Sequence, residues 1–196
     1  MPAISLHLIL FCFFCLTILI LLWYYLFYFA RLSFYKEKDP QPLSLNPQPV
    51  SVIICARNED HNLPEFLPLI LSQDYPCYEV VAVNDCSWDN TPDVLREFEK
   101  KYKHLKVITI KEDPKHHHGK KFALMVGIKG ATHEYLLLTD GDCRALSDQW
   151  LKKMMSKFSD GKEIVLGYSK YEKFPGFMNK LIRFDTFHIA FLEHRA

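Results

Sequence analysis

The run Leu136-Leu137-Leu138-Thr139-Asp140-Gly141-Asp142 places two carboxylates at the end of an apolar stretch. A strand that buries three leucines has little reason to end in two negative charges unless a cation meets them there. Hard divalent ions take oxygen ligands, and Mg2+ or Mn2+ commonly bridges one or two carboxylates to phosphate oxygens. Asp140 and Asp142 therefore point to a metal–diphosphate site. An Asp-x-Asp pair alone is equally the signature of a solvated turn, so the surrounding elements must decide.

Those elements alternate. Val50–Cys55 is a mostly β-branched apolar run, the pattern of a strand covered on both faces. Leu63, Phe66, Leu67, Ile70 and Leu71 then keep the three-four spacing of one helix face, with Pro64 suited to a first turn and Pro68 expected to loosen the middle. Glu79–Val83 is a second strand. Asp89 or Asn90 is placed to cap a helix that has Pro92 in its first turn and Val94, Leu95, Phe98 and Tyr102 inward. Leu105–Ile110 is a third strand, Phe122–Ile128 a short helix, and Tyr135–Thr139 the strand that delivers the aspartates. Ser147 is expected to cap a helix carrying Trp150, Leu151 and Met154, and Ile164–Leu166 to form a fifth strand. Strands and helices at this spacing imply right-handed βαβ crossovers and a mainly parallel, Rossmann-like α/β sheet.

In such a sheet the carboxyl ends of the strands share one edge, where ligands bind. Three of those ends carry polar clusters: Ala56-Arg57-Asn58-Glu59, Asn84-Asp85-x-Ser87-x-Asp89 and Asp140-x-Asp142. Helix caps and turns account for much of the first two. Asp85 lies between a buried strand and the cap, where a carboxylate can accept a hydrogen bond from a base or ribose. No Gly-x-Gly-x-x-Gly follows the first strand and there is no Walker A sequence, which argues against dehydrogenases and P-loop NTPases. Lys plus Arg number 24 and Asp plus Glu 23; this balance lacks the basic face of a nucleic-acid binder.

Four ordered motifs between Pro49 and Phe158 resemble those of the family 2 glycosyltransferases. Val50-Ser51-Val52-Ile53-Ile54-Cys55-Ala56-Arg57-Asn58-Glu59 is similar to the family's opening strand and loop. Val83-Asn84-Asp85-Cys86-Ser87-Trp88-Asp89-Asn90-Thr91 is similar to its Val-Asp-Asp-x-Ser-x-Asp-x-Thr run, with Asn84 for the first aspartate. Gly119-Lys120-x-x-Ala123-Leu124-Met125-x-Gly127 follows a Gly-Lys-x-x-Ala-Leu-Asn-x-Gly run, with Met125 for asparagine. Thr139-Asp140-Gly141-Asp142 supplies the Asp-x-Asp. The resemblance implies the nucleotide-binding half of a GT-A fold and inverting transfer from a nucleotide-diphosphate sugar, with a UDP-sugar expected. It implies Cys55, Arg57 and Glu59 near the nucleotide, Asp85 on the base, Lys120 by the diphosphate, Asp140 near ribose or metal, and Asp142 on Mn2+ or Mg2+. The implied partners are that donor and a saccharide or lipid-linked acceptor. The implied general base is a later aspartate. Asp148, Asp160, Glu163, Glu172, Asp185 and Glu193 all lack the expected context, so the catalytic base is expected to be missing from a truncated chain that binds donor but turns over poorly.

The ends of the chain carry a second message. Ile4–Ala30 is almost wholly apolar and long enough to span a bilayer. It has neither the basic start nor the small-residue cleavage site of a signal peptide. Trp23, Tyr24, Tyr25 and Tyr28 crowd its end and Arg31, Lys36 and Lys38 follow, so the positive-inside rule places the rest on the cytoplasmic side of the inner membrane. Residues 31–49 form a basic, proline-rich linker. Residues 50–168 form the nucleotide-sugar domain, and residues 169–196 begin an acceptor half. Phe177, Leu181, Phe184, Phe191 and Leu192 share a helical face there, suited to packing on further protein or, less readily, to the bilayer surface. None of the six cysteines has zinc-like spacing, as befits a reducing compartment. His116–His118 read as a solvated loop. Two further readings stand beside an enzyme: a non-catalytic sugar-nucleotide-binding remnant, and a membrane-tethered interaction module whose acidic turns are only caps.

Overall fold

The computed structural model describes residues 6–33, 47–111, 119–158 and 162–193, with side chains described outside 28–33 and 190–193. The triple histidine, Asp160, most of the linker, and the side chains of Tyr28, Phe191, Leu192 and Glu193 lie outside the described residues. The chain divides into two compact units, Met1–Asp39 and Pro40–Ala196.

The first unit is the helix α1, Leu6–Ser33. Within it Leu6–Phe27 is long and apolar enough to cross a membrane, and none of that stretch is buried. A helix apolar on every side suits only a surrounding that is itself apolar.

The second unit is built on a four-stranded parallel sheet. Its strands are β1 (Val50–Ala56), β2 (Tyr78–Asp85), β3 (Leu105–Ile110) and β4 (Tyr135–Asp140), in the order β3-β2-β1-β4. Helices α2 (Leu63–Leu71), α3 (Thr91–Lys101), α4 (Lys120–Gly130) and α5 (Trp150–Met155) connect or follow the strands, and α6 spans Phe177–Glu193. Period-two alternation divides β1 between two layers. Val50, Val52, Ile54 and Ala56 join Leu63, Leu67, Ile70, Leu95 and Leu151 in one core. Ile53 joins Val81, Val83 and Ala123 in the other, beneath α4. Covering on both faces is why β1 and β2 read as continuous apolar runs.

Two close contacts fix the α4 layer. A β-carbon on Gly127 would lie 2.5 Å from Ile53 Cγ2, and one on Gly130 would run into Ile108 Cδ1. These glycines let the helix axis approach the sheet, which sets the height of its first residue, Lys120, above the strand ends. The α5 layer is held by a buried amide. Gln73 Nε2 donates to the carbonyls of Leu69 and Ser147, and Gln73 Oε1 accepts from Leu151 N–H.

Several boundaries differ from expectation. Helix α2 runs through Pro68, with Pro64 in its first turn. Gln149, not Ser147, is the N-cap of α5; Ser147 Oγ instead accepts from Gln149 N–H at 3.2 Å. Asn90 is the N-cap of α3 but makes no side-chain cap bond. The fifth strand is a correction. Ile164–Leu166 is not in a strand, and Ile164 and Leu166 are 79% and 75% exposed. Apolar content favours burial, but a strand exists only through the neighbour it pairs with. Among the described residues β4 pairs on one side only, with β1.

Candidate nucleotide-sugar and metal site

The strand order locates the site before any side chain does. From β1 the chain moves outward to β2 and β3, then crosses back so that β4 lies on the other side of β1. The connections diverge at the β1/β4 boundary, and ligands of open α/β sheets bind at the carboxyl end of such a switch point. There Cys55 and Asp140 are register partners on adjacent strands. The backbone continues the contact, because Gly141 N–H donates to Cys55 C=O at 3.1 Å. A β-carbon on Gly141 would meet Ala56 Cβ at 3.1 Å and Glu59 Cγ at 3.2 Å. Glycine therefore allows the Asp-x-Asp turn to lie against the first loop.

Lys120 reaches this turn from the start of α4. Its Nζ donates to Asp140 Oδ2 at 2.8 Å. That hydrogen bond is the main reason its pKa is raised; burial opposes the shift, and the charges of Asp140 and Asp142 reinforce it. Burial also pushes the Cys55 thiol up, with the negative charges of Asp140 and Asp85 adding to the shift against the opposing field of Lys120. Cys55 is thus a neutral thiol within the electrostatic reach of three charged groups. Asp140, Asp142 and Cys143 each offer a ligand atom, and the three atoms lie within 4.8 Å of one another. The chemistry of that donor set fits a divalent cation.

Asp85 closes the other end. It terminates β2 at 4% exposure, and its Oδ1 has no hydrogen-bond partner among the described residues. A buried carboxylate oxygen without a donor costs about 1–3 kcal/mol or more. Such an atom is an acceptor left open to water or to a ligand.

Between the two ends, the β1–α2 and β2–α3 loops are laced together. Asn58 and Cys86 both adopt positive φ, 57° and 52°, so each strand turns sharply where it ends. Asn58 N–H donates to Ser87 Oγ at 3.0 Å, and Asn58 Oδ1 accepts from Trp88 N–H at 3.0 Å. Glu59 N–H donates to Thr91 Oγ1 at 2.7 Å. Asp89 Oδ2 accepts from Asp60 N–H and its Oδ1 from Thr91 N–H. Burial alone would raise the Asp89 pKa, but the hydrogen bonds from Thr91 and Asp60 outweigh it and hold the carboxyl below its ordinary value. Asp89, read from sequence as a candidate cap within a strand-end cluster, therefore joins two loops.

The strand edge thus gathers Cys55, Lys120, Asp85, Asp140 and Asp142, with Glu59 beside Gly141 and its carboxylate accepting from Asn62 Nδ2 at 2.7 Å. Arg57 is exposed on the same loop. Asp148, Glu163, Glu172 and Asp185, weighed as later carboxylates, are all exposed. Sequence reasoning missed Asn58, Ser87 and Thr91 as loop ties and Cys143 as a neighbour of the aspartates. The signal for Asn58 and Ser87 was their place in the strand-end clusters and for Thr91 its place in the Val83–Thr91 motif, whereas nothing in the sequence pointed to Cys143.

A model of glycosyl transferase family 2 matches residues 51–193. The chain belongs to this family. Glycosyltransferase AglE of Haloferax volcanii is 33% identical over 141 residues, which is 70% of this chain and 44% of that protein. Poly-beta-1,6-N-acetyl-D-glucosamine synthase of Staphylococcus epidermidis is 32% identical over 114 residues, 58% of this chain and 25% of that one. Among solved structures, the mannosyltransferase PcManGT from Pyrobaculum calidifontis, in complex with GDP-Man and Mn2+, is 29% identical with a TM-score of 0.57. It covers 69% of this chain, which in turn covers 40% of it. The family 2 chain thus spans less than half the length of these relatives, and its GT-A fold agrees with the sheet order and switch point described above.

Proposed function

We propose that this family 2 chain carries the donor-binding part of a membrane-anchored glycosyltransferase that moves a sugar from a nucleotide diphosphate to an acceptor hydroxyl with the help of a divalent ion. The carrying observation is the convergence of an unsatisfied buried acceptor, Asp85 Oδ1, with a lysine and two carboxylates on one sheet edge.

Each group has a task that follows from its chemistry. Asp85 accepts from the pairing edge of the base; uracil and guanine both carry a ring N–H there. Lys120 lies beside the departing diphosphate and offsets its growing negative charge. Asp140 and Asp142 would hold Mn2+ or Mg2+, which supplies Lewis-acid stabilisation of the same leaving group. Cys55 lines the floor between them as a neutral thiol that adds no further negative charge. The acceptor, a saccharide or a lipid-linked one, needs a general base aimed at the anomeric carbon from the opposite face, and no residue of this chain is assigned that role. The Mn2+ and nucleotide sugar bound by PcManGT support the donor and metal parts of this reading. They leave UDP and GDP as the two donors to test, with UDP expected from the sequence resemblance. The span-length helix α1 and the basic residues after it support anchoring with the sheet on the cytoplasmic side of the membrane.

The test is calorimetric titration of the full chain, in detergent, with UDP and GDP, each with and without Mn2+. Binding of one nucleotide that needs the ion and is lost in Asp142→Ala is the expected result. Binding that ignores both the ion and that substitution, or no binding at all, would overturn the proposal and leave a membrane-tethered interaction module as the better account.

A further inference from the structure

Trp88, at 83%, is the most exposed large apolar side chain among the described residues. Tryptophan is highly buried in the average protein. Here its neighbours in the β2–α3 loop are covered instead: Asp85 is buried, and Ser87 and Asp89 are half-buried.

The backbone beneath the indole is firmly held. Ser87 N–H donates to Asn84 Oδ1 at 3.3 Å, Asn58 N–H to Ser87 Oγ at 3.0 Å, and Trp88 N–H to Asn58 Oδ1 at 3.0 Å. Asp89 then accepts from Asp60 and Thr91. These bonds fix residue 88 where β1 and β2 end side by side, three residues beyond Asp85 and its open Oδ1. Trp88 enters the network through its backbone N–H. Any residue but proline could supply that donor, so the loop does not require an indole. The motif does not require one either, because Trp88 stands at an open position of the Val-Asp-Asp-x-Ser-x-Asp-x-Thr pattern. An uncovered aromatic on a rigid tether at the rim of a site is suited to receiving a flat ligand.

We propose that Trp88 is the stacking platform for the base of the nucleotide donor, covering the face of the ring whose edge Asp85 engages. The proposal rests on the donor reading of the site and adds a residue to it. The two contacts differ in kind. A carboxylate accepts a hydrogen bond in the plane of the base, whereas an indole packs against the face above that plane. Stacking needs no particular pattern of donors and acceptors, since every base has a π-face. Trp88 thus supplies affinity for a base, and Asp85 supplies the requirement for a ring N–H. The indole has no step in sugar transfer.

The full chain in detergent is titrated by calorimetry at saturating Mn2+ with UDP, GDP and inorganic pyrophosphate, beside Trp88→Ala and Trp88→Phe. In Trp88→Ala the nucleotide that binds should weaken about 5- to 150-fold, the range for loss of one base–aromatic stack. Trp88→Phe should recover most of that loss. Pyrophosphate carries the phosphates without a base, so its behaviour should be the same in all three chains. Fluorescence gives an independent reading, because the chain has three tryptophans, Trp23, Trp88 and Trp150. Nucleotide should quench the unaltered chain, and that quenching should be missing from Trp88→Phe, which keeps the other two. Unchanged nucleotide affinity in Trp88→Ala, an equal loss for pyrophosphate, or quenching that survives Trp88→Phe would overturn the stacking assignment and leave the donor site standing. Failure of the unaltered chain to bind either nucleotide would overturn the donor reading itself and Trp88 with it.

Discussion

Replacing Lys120 by methionine should push two affinities in opposite directions. In the structure Lys120 Nζ occupies Asp140 Oδ2 at 2.8 Å, so the lysine neutralises a carboxylate on which the proposed ion would draw. Metal binding must work against that ion pair. Lys120 and Asp140 are 71% and 43% exposed at their side chains, which places the pair among surface salt bridges. Such pairs are worth about 0.2–1 kcal/mol. Lys120→Met should therefore tighten Mn2+ binding in the absence of nucleotide by up to about fivefold, since about 1.4 kcal/mol corresponds to a factor of ten. The same lysine is free to turn to the diphosphate once the ion takes over Asp140. A hydrogen bond to a charged group contributes about 1.5–3 kcal/mol, so UDP or GDP binding at saturating Mn2+ should weaken by about 10- to 150-fold. Titration of free Mn2+ by electron paramagnetic resonance and calorimetric titration of nucleotide read the two limbs separately. If the variant binds Mn2+ alone more weakly, or holds nucleotide as tightly as before, then Lys120 is not an internal counter-ion exchanged for the diphosphate.

Other perturbations separate binding from folding. Asp85→Ala removes a buried oxygen, Oδ1, that has no hydrogen-bond partner among the described residues, so its thermal midpoint should stay level or rise while nucleotide affinity falls at least tenfold; a clear loss of stability would mean that the carboxylate is a structural acceptor. Gly127→Ala drives a methyl group into Ile53 Cγ2, a β-branched neighbour in the core, and should cost about 1–3 kcal/mol in chemical denaturation. Glu79 accepts from the Ser51 hydroxyl and from the Thr132 backbone and hydroxyl. Burial alone would raise its pKa, but these bonds outweigh burial and hold it below the ordinary value of 4.5. A depressed carboxylate contributes stability that is complete above its unfolded value and lost as pH falls toward its folded value. Stability should therefore begin to fall as pH drops through about 4.5, and Glu79→Gln should flatten that fall; an unchanged slope would exclude the contribution.

What the sequence disclosed follows from where the information lay. Strands β1 and β2 were legible because both faces of each are covered, which forces long apolar runs such as Val50–Cys55. Helices α2 and α3 were legible through three-four spacing and through prolines placed in first turns. Asp85 and the Asp140–Asp142 pair stood out in the sequence because they are polar residues at the ends of apolar strands, whereas Lys120 at the start of α4 entered only through the family resemblance carried by the order of four motifs. Ile164–Leu166 misled because apolar content reports a preference for cover without naming what supplies it. The ties between the two loops were hidden for another reason. Asn58 to Ser87 and Asp60 to Asp89 are contacts between residues about thirty apart, and Asn, Ser and Asp have good local reasons to sit in turns. Gly127 stood in a quoted motif, yet its purpose becomes visible only when α4 is laid over Ile53.

The lacing of the β1–α2 and β2–α3 loops has a consequence for how this half of the sheet can be altered. Amides at Asn58, Glu59 and Asp60 take their acceptors from Ser87, Thr91 and Asp89, while Trp88 takes its acceptor from Asn58. Each βα unit thus borrows the groups that finish its turn from the other, and neither is a complete module when exchanged alone. Substitutions in the two loops should be non-additive, as expected for residues in one hydrogen-bonded network. The exchange-protected amides of Glu59, Asp60 and Trp88 should open as a single event. A graft or a recombination point placed between Ala56 and Thr91 would divide a shared structure, whereas one placed after Thr91 would carry it across whole.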